Sequence, residues 1–226
     1  MKTSSATISR TPYYNVTSVV RKKAVDIIIT NDGGNYNSLG LNEAVTQFSE
    51  NTPRTGRDFV KSLRSLQSSF EKNNRDNISQ RLHGVKISLA SSLVDGDTAY
   101  FANLGNTGLS VYGYDGEVLL DSGYKRGTKS GDIDPTHRHL GDKGLELSLT
   151  KIPLDEIKTV LLTTPMIREN LGDSQKIYDG FIANAKDVDT AVANISKSLI
   201  FPGQRGDFEE NFRYGDRVAI ARYFQK

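Results

Sequence analysis

The chain has no cysteine and no tryptophan, and only 2 methionines in 226 residues. Without cysteine there are no disulfides, no thiolate zinc sites and no cysteine nucleophiles, which fits a reducing compartment. No stretch approaches the roughly 18 consecutive apolar residues of a membrane-spanning helix. The net charge is only +2, which gives no electrostatic case for nucleic acid or an anionic membrane as partner. No secretory signal is visible, so an intracellular protein is expected, cytoplasmic or mitochondrial. The glycosylation patterns at Asn15, Asn77 and Asn194 are then chance matches.

What is present is ordinary globular material: 36% apolar and 25% charged residues, enough for one sizeable core. The charge is unevenly placed. Lys2, Arg10, Arg21, Lys22 and Lys23 precede the first acid, Asp26. Together with Ser4, Ser5 and Thr7 this faintly resembles an organelle transit peptide, but a basic N-terminal arm is the simpler reading. The expected organisation is an arm over 1–24 and a single domain over 25–226.

Hydrophobic period supplies the elements. Val25 to Thr30 reads as a buried strand ending at Asn31-Asp32-Gly33-Gly34. Leu41, Ala44, Val45 and Phe48 recur at helical spacing. Beyond Pro53, Phe59, Leu63, Leu66 and Phe70 form the apolar stripe of a second helix, capped by Thr55. Strands are expected at 85–89, 98–103, 109–114 and 118–120, the last pair joined by the Asp115-Gly116 hairpin. A polar, glycine-rich loop covers 121–143. Strands at 145–152 and 160–163, helices around 177–182 and 188–199, and a strand at 217–224 complete the pattern. Blocked rather than alternating order argues for an α+β fold: two mainly antiparallel sheets packed as a sandwich and flanked by helices.

Several segments resemble the motifs of the PP2C-type metal-dependent protein phosphatases, particularly their mitochondrial branch. Ala102-Asn103-Leu104-Gly105-Asn106-Thr107-Gly108 is similar to that family's A-N-x-G-D-S region. Asn31-Asp32-Gly33-Gly34 resembles its D-G-x-G-G segment, though two residues shorter. Thr164 to Leu171 resembles the T-D-G-L-x-D-N loop, and Gly215-Asp216-Arg217-Val218-Ala219 the closing D-D/N-x-T motif. The four lie in the family's order and span most of the chain. The resemblance implies a β-sandwich between helix pairs.

It also implies a pair of Mg²⁺ or Mn²⁺ ions that activate a bridging water for attack on a phosphomonoester. Such hard ions require several carboxylates. Carried over position by position, only part of the ligand set remains: Asp32, the Gly33 carbonyl and Asp216 match. The third aspartate falls on Pro165 and its following glycine on Met166. The acid expected ahead of the first central strand is absent, since Val19-Val20-Arg21-Lys22-Lys23 stands there. Asn106 replaces the aspartate of G-D-S, while Glu169 keeps an acid farther along the loop. Asp32, Gly33 and Asp216 thus read as a vestigial metal site, insufficient for two ions, with no cofactor expected. Arg21, Lys22 or Lys23 is a candidate for a cation standing in for the metals.

The expectation is a catalytically inactive pseudophosphatase that binds a protein partner or serves in a multi-subunit complex. The alternative is a divergent Mg²⁺- or Mn²⁺-dependent Ser/Thr phosphatase drawing ligands from Glu169 or the 121–143 loop. His137 and His139 have spacing compatible with zinc chelation, but a solvated loop or partner contact is the default. No serine lies in a nucleophile-elbow pattern.

Overall fold

A computed structural model describes residues 2–10, 17–31, 38–76, 85–122, 138–147, 149–165, 167, 171–198 and 217–225. Ten strands are found among them: β1 Lys2–Arg10, β2 Thr17–Lys22, β3 Val25–Asn31, β4 Ile87–Asp95, β5 Thr98–Leu104, β6 Gly108–Gly113, β7 Val118–Ser122, β8 Thr150–Pro153, β9 Ile157–Thr163 and β10 Arg217–Gln225. The principal helices are α1 Ser38–Glu50, α2 Gly56–Asp76, α3 Ser174–Ile177, which runs on into a π-turn at Tyr178–Ile182, and α4 Val188–Ser198. One sheet has the order β1-β10-β9-β6-β7 and the other β2-β3-β4-β5-β8, with every pairing antiparallel.

Residue parity along the strands builds four layers. On β3, Ile27 and Ile29 belong to an apolar cluster with Leu41, Phe48, Phe59, Leu63 and Phe70 of α1 and α2. Ile28, between them, joins Phe101, Val111, Val160, Leu162 and Ile220 in the interior of the sandwich. On the other sheet, Leu161, Ala219 and Ala221 pack with Ile177, Ile182, Val188, Val192 and Ile195 of α3, the π-turn and α4. Both faces of the central strands are buried, which explains the nearly unbroken apolar run of β3.

Local signals set the helix starts. The Asp58 N–H donates to Thr55 Oγ1 at 3.1 Å, and the Gly56 N–H donates to Asp95 Oδ2 at 3.2 Å, satisfying two open donors of α2. Asp173 caps α3 by accepting from the Lys176 N–H at 2.9 Å. Asp187 does the same for α4 through the Thr190 N–H at 2.7 Å. At the Asp115-Gly116 hairpin, Gly116 has φ +83°, a conformation that favours glycine.

Two expectations change. The segment read as a basic arm carries two strands: β1 pairs with β10 over nine residues, Lys2↔Gln225 to Arg10↔Arg217, and β2 pairs with β3. Residues 2–10 form an edge strand of the first sheet. The strand expected at 145–152 shortens to Thr150–Pro153. Leu145, Leu147 and Leu149 keep their alternation by packing against the α1–α2 cluster, with no ladder partner in that sheet.

Candidate functional site

The motif-bearing segments converge on one end of the sandwich. Asn31, at the end of β3, pairs with Ile87 at the start of β4. Thr17 stands beside Thr30, and Arg10 beside Arg217. The turn after Leu104 leads from one sheet to the other and re-enters at Gly108, the register partner of Thr163. Asp32 and Gly33 follow Asn31, and Asp216 precedes Arg217. These three, with Met166 and Glu169, lie outside the described residues.

The Asn103–Thr107 turn is held from several sides. Gly105 has φ +69°, and a Cβ there would lie 2.0 Å from Ser88 Oγ. The Gly105 N–H donates to the Arg138 carbonyl at 2.7 Å, and the Asn106 N–H to Ser88 Oγ at 2.8 Å. Thr107 Oγ1 donates to Asn103 Oδ1 at 3.0 Å, while Asn103 Nδ2 donates to the Ser122 carbonyl at 3.2 Å. The motif therefore forms a rigid crossing between sheets, with its glycine fixed by the close approach of Ser88 and His139.

Thr164 ties the end of β9 to the start of β10. Its N–H donates to the Val218 carbonyl at 2.9 Å, and its Oγ1 accepts from the Val218 N–H at 3.1 Å. It is 1% exposed. Pro165 then opens a helical turn, with the Ile167 N–H donating to the Thr164 carbonyl at 3.2 Å. Proline suits the first helical position, because its fixed φ is helical and its missing N–H would have no partner there. The local frame is preserved at the position where the resemblance calls for an acid.

The candidate ligands of two divalent ions, Asp32, Gly33 and Asp216, lie outside the described residues, and the described oxygens beside them are neutral. Thr30 Oγ1 and Asn106 Oδ1 are buried atoms with no hydrogen-bond partner, but both are neutral oxygens and cannot offset the ions' charge. Among the described residues, no three His, Asp or Glu side chains gather as a metal-binding group.

Arg21, Lys22 and Lys23 cannot replace the metals. Arg21 pairs in register with Asp26, five residues before Asn31 and so about 17 Å from the site end at the rise of a β-strand. Its Nε lies 3.4 Å from Asp26 Oδ1. Antiparallel pairing also corrects where a missing first acid belongs. The 19–23 segment turns at the far end, whereas the ends of 11–16, Arg10 and Thr17, belong to the site end. That segment reads Thr-Pro-Tyr-Tyr-Asn-Val and contains no acid either.

Sequence reasoning missed the buttress beneath the site. Leu140 forms a two-way backbone bridge with Ile87, which places the 138–142 segment beside β4. Helix α2 clamps it there. Gln67 Oε1 accepts from the Gly141 N–H at 2.8 Å, and Gln67 Nε2 donates to the Asp142 carbonyl at 2.6 Å. Asn74 Nδ2 donates to the Val85 and Gly141 carbonyls, each at 3.1 Å. His139 is 5% exposed and its N–H donates to Asp142 Oδ2 at 2.8 Å, so the second histidine of the expected pair is core rather than loop surface; His137 lies outside the described residues. The only sequence signal was the pair of amides, Gln67 and Asn74, at helical spacing beside an apolar stripe.

Glu71 completes the clamp, and its carboxyl is held below the usual glutamate range by hydrogen bonds from Gln67 and then from the Gly144 N–H. A lowered folded-state pKa contributes stability above the unfolded value of 4.5, lost as pH falls through the folded value. Glu71→Gln is therefore expected to lower stability at neutral pH and to flatten the loss on acidification below about pH 4.5. Urea titrations at stepped pH would show parallel wild-type and variant curves if this is wrong.

Comparison with known proteins agrees with this architecture. The fold is similar to the serine/threonine phosphatase PstP/Ppp of Mycobacterium tuberculosis, at TM-score 0.70 and 12% identity over 99% of each chain. A PstP catalytic domain in complex with two manganese ions aligns at TM-score 0.71 and 13% identity, over 98% of this chain and 97% of that one. PppA, a key regulatory component of T6SS in Pseudomonas aeruginosa, aligns at 0.68 and 13%, over 99% and 98%. No family model and no curated protein matches the sequence. The chain has a PP2C-like fold, reached by a sequence far from these phosphatases.

Proposed function

We propose that this PP2C-like chain is a pseudophosphatase: it keeps the fold, lacks a working dinuclear metal site, and acts by binding as a regulatory or structural subunit of a protein assembly. The observation that carries the reading is Thr164-Pro165. The threonine holds β9 to β10 and the proline fits the opening of the following helical turn, at the position where the resemblance calls for a metal aspartate. The lack of any acid before Asp26 adds to it. Two remaining carboxylates, Asp32 and Asp216, leave two dipositive ions badly under-compensated, and even the loss of an outer-shell partner weakens a metal site roughly 10–100-fold. The resemblance to the mitochondrial branch and the absence of cysteine favour an intracellular setting, cytoplasmic or mitochondrial.

Calorimetric titration with Mn²⁺, run beside hydrolysis of para-nitrophenyl phosphate, tests the reading. Neither two-ion binding below millimolar concentration nor Mn²⁺-dependent turnover is expected. Tight binding of two ions with turnover would establish the divergent phosphatase instead. Glu169→Gln and variants of acids in 121–143 would then identify the substitute ligands.

A further inference from the structure

The exposed face of α2 carries Arg57, Lys61, Arg64, Lys72 and Arg75 on one stripe. At 100° per residue all five lie within about 60° of the Arg57 direction, and the stripe runs about 27 Å at helical rise. Ser68 and one acid, Glu71, interrupt it, and the Glu71 carboxylate is engaged by Gln67 and Gly144. Arg57/Lys61, Lys61/Arg64 and Lys72/Arg75 are like-charge neighbours at i,i+4 or i,i+3, an arrangement that disfavours a helix. Among the described residues, Arg57, Lys61, Arg64 and Lys72 have no ion-pair partner. The opposite face, Phe59, Leu63, Leu66 and Phe70, is fully buried. Core packing thus supplies the helix's stability, and the cationic stripe weakens it.

Two hollows border the stripe. One is lined by Arg57, Asp58, Val60, Lys61 and Arg64. The other runs from Arg64 past Gln67, Ser68 and Glu71 to the half-buried Leu145 and Leu147, with the exposed Glu146 between them. Basic charge is therefore concentrated around Arg57, Lys61 and Arg64, and Leu145 and Leu147 supply the apolar part of a mixed neighbouring hollow. We infer that this face of α2 is a docking surface for an acidic segment of a partner protein, with Arg57, Lys61 and Arg64 meeting its carboxylates and Leu145 and Leu147 receiving an apolar side chain.

A protein segment fits better than the other polyanions. The stripe presents no aromatic platform for bases, and the whole chain carries only +2. Its apolar component is a recessed pair of leucines, not the projecting hydrophobic face of a membrane-lying helix. The half of the stripe that carries Arg57, Lys61 and Arg64 starts from Gly56, whose N–H meets Asp95 at the end of β4 opposite the Asn31–Ile87 pair.

The test uses the full chain and a fluorescein-labelled amphipathic peptide of alternating glutamate pairs and leucines. Fluorescence anisotropy is expected to show micromolar binding that weakens at least tenfold between 50 and 300 mM salt, as exposed charge contacts are screened (roughly 8 Å Debye length at physiological strength). Arg57→Gln/Lys61→Gln/Arg64→Gln should weaken it at least tenfold while leaving the melting temperature equal or higher, because removing like-charge neighbours relieves the helix. Arg57→Lys/Arg64→Lys should retain most of the affinity. A serine-for-leucine peptide should bind several-fold more weakly. No binding, binding unchanged in the glutamine variant, or tighter binding to a 20-base-pair DNA duplex or to phosphatidylserine vesicles would overturn the proposal. Metal-dependent turnover in the Mn²⁺ experiment would remove the pseudophosphatase reading and leave this one standing.

Discussion

Arg222→Ala is expected to destabilise the fold by about 3–5 kcal/mol, the loss seen when one partner of a buried ion pair is removed. For a chain of this size that lowers the melting temperature by roughly 6–20 °C. Arg222 is 5% exposed and Asp26 1%. Its Nε donates to Asp26 Oδ2 at 2.6 Å, and its terminal nitrogens donate to the Lys23 and Lys22 carbonyls at 2.8 and 3.3 Å. One side chain thus joins β10 of one sheet to Asp26 and to the β2–β3 turn of the other. In the variant, Asp26 keeps only Arg21, at 3.4 Å and partly solvated. The double replacement Asp26→Leu/Arg222→Met should recover most of the loss, since apolar residues of similar size often substitute for such pairs without penalty. Urea denaturation of the two single variants and the double variant completes the cycle. A loss under about 1 kcal/mol in Arg222→Ala would mean that water reaches Asp26 and that the pair is not buried in solution.

Gly141→Ala is expected to cost about 3 kcal/mol. The backbone there has φ +102°, and an added Cβ would lie 2.1 Å from the Val85 carbonyl oxygen. That oxygen belongs to the backbone and cannot swing aside. Strain of 1–3 kcal/mol is joined by loss of the Gln67 and Asn74 contacts to Gly141, whose buried polar groups then lack partners. Gly144→Ala is the matched control. It has φ +68° with nothing within 4 Å of the new atom, so only the left-handed penalty of about 1–2 kcal/mol applies. Equal losses in the two variants would show that the clamp adds nothing. Faster amide exchange at Ile87 and Leu140 in Gly141→Ala alone would show that it positions the buttress.

These two residues mark the limit of what the sequence disclosed. The run from Val25 to Thr30 and the stripe Phe59, Leu63, Leu66 and Phe70 declared themselves, because burial on a period leaves a local record. Thr164-Pro165 was legible for a similar reason, as the point where the apolar run 160–163 ends and a helical turn begins. In Lys-Thr-Ser-Ser-Ala-Thr-Ile-Ser-Arg only Ala6 and Ile8 are apolar, and β1 is specified by β10 more than by itself. Asp26 reads as a charge misplaced in a strand until Arg222, its partner 196 positions away, is brought beside it. Gln67 and Asn74 are likewise ordinary polar helix residues until the 138–142 segment arrives. Tertiary partners at long separation are invisible to any window of sequence.

The pairing of β1 with β10 also has a meaning for biosynthesis. Lys2 is matched to Gln225 and Arg10 to Arg217, so the first strand emerges from the ribosome long before its neighbour exists. At roughly 5–20 residues per second the wait is some tens of seconds. Throughout it, Asp26 has no Arg222 and the sheet built on β9 has no β10. The core cannot close until β10 has been made, and closure of such distant contacts is intrinsically slow. Truncation within β10 should therefore be as damaging as a large internal deletion, leaving a nascent sandwich open on one side for chaperones to hold.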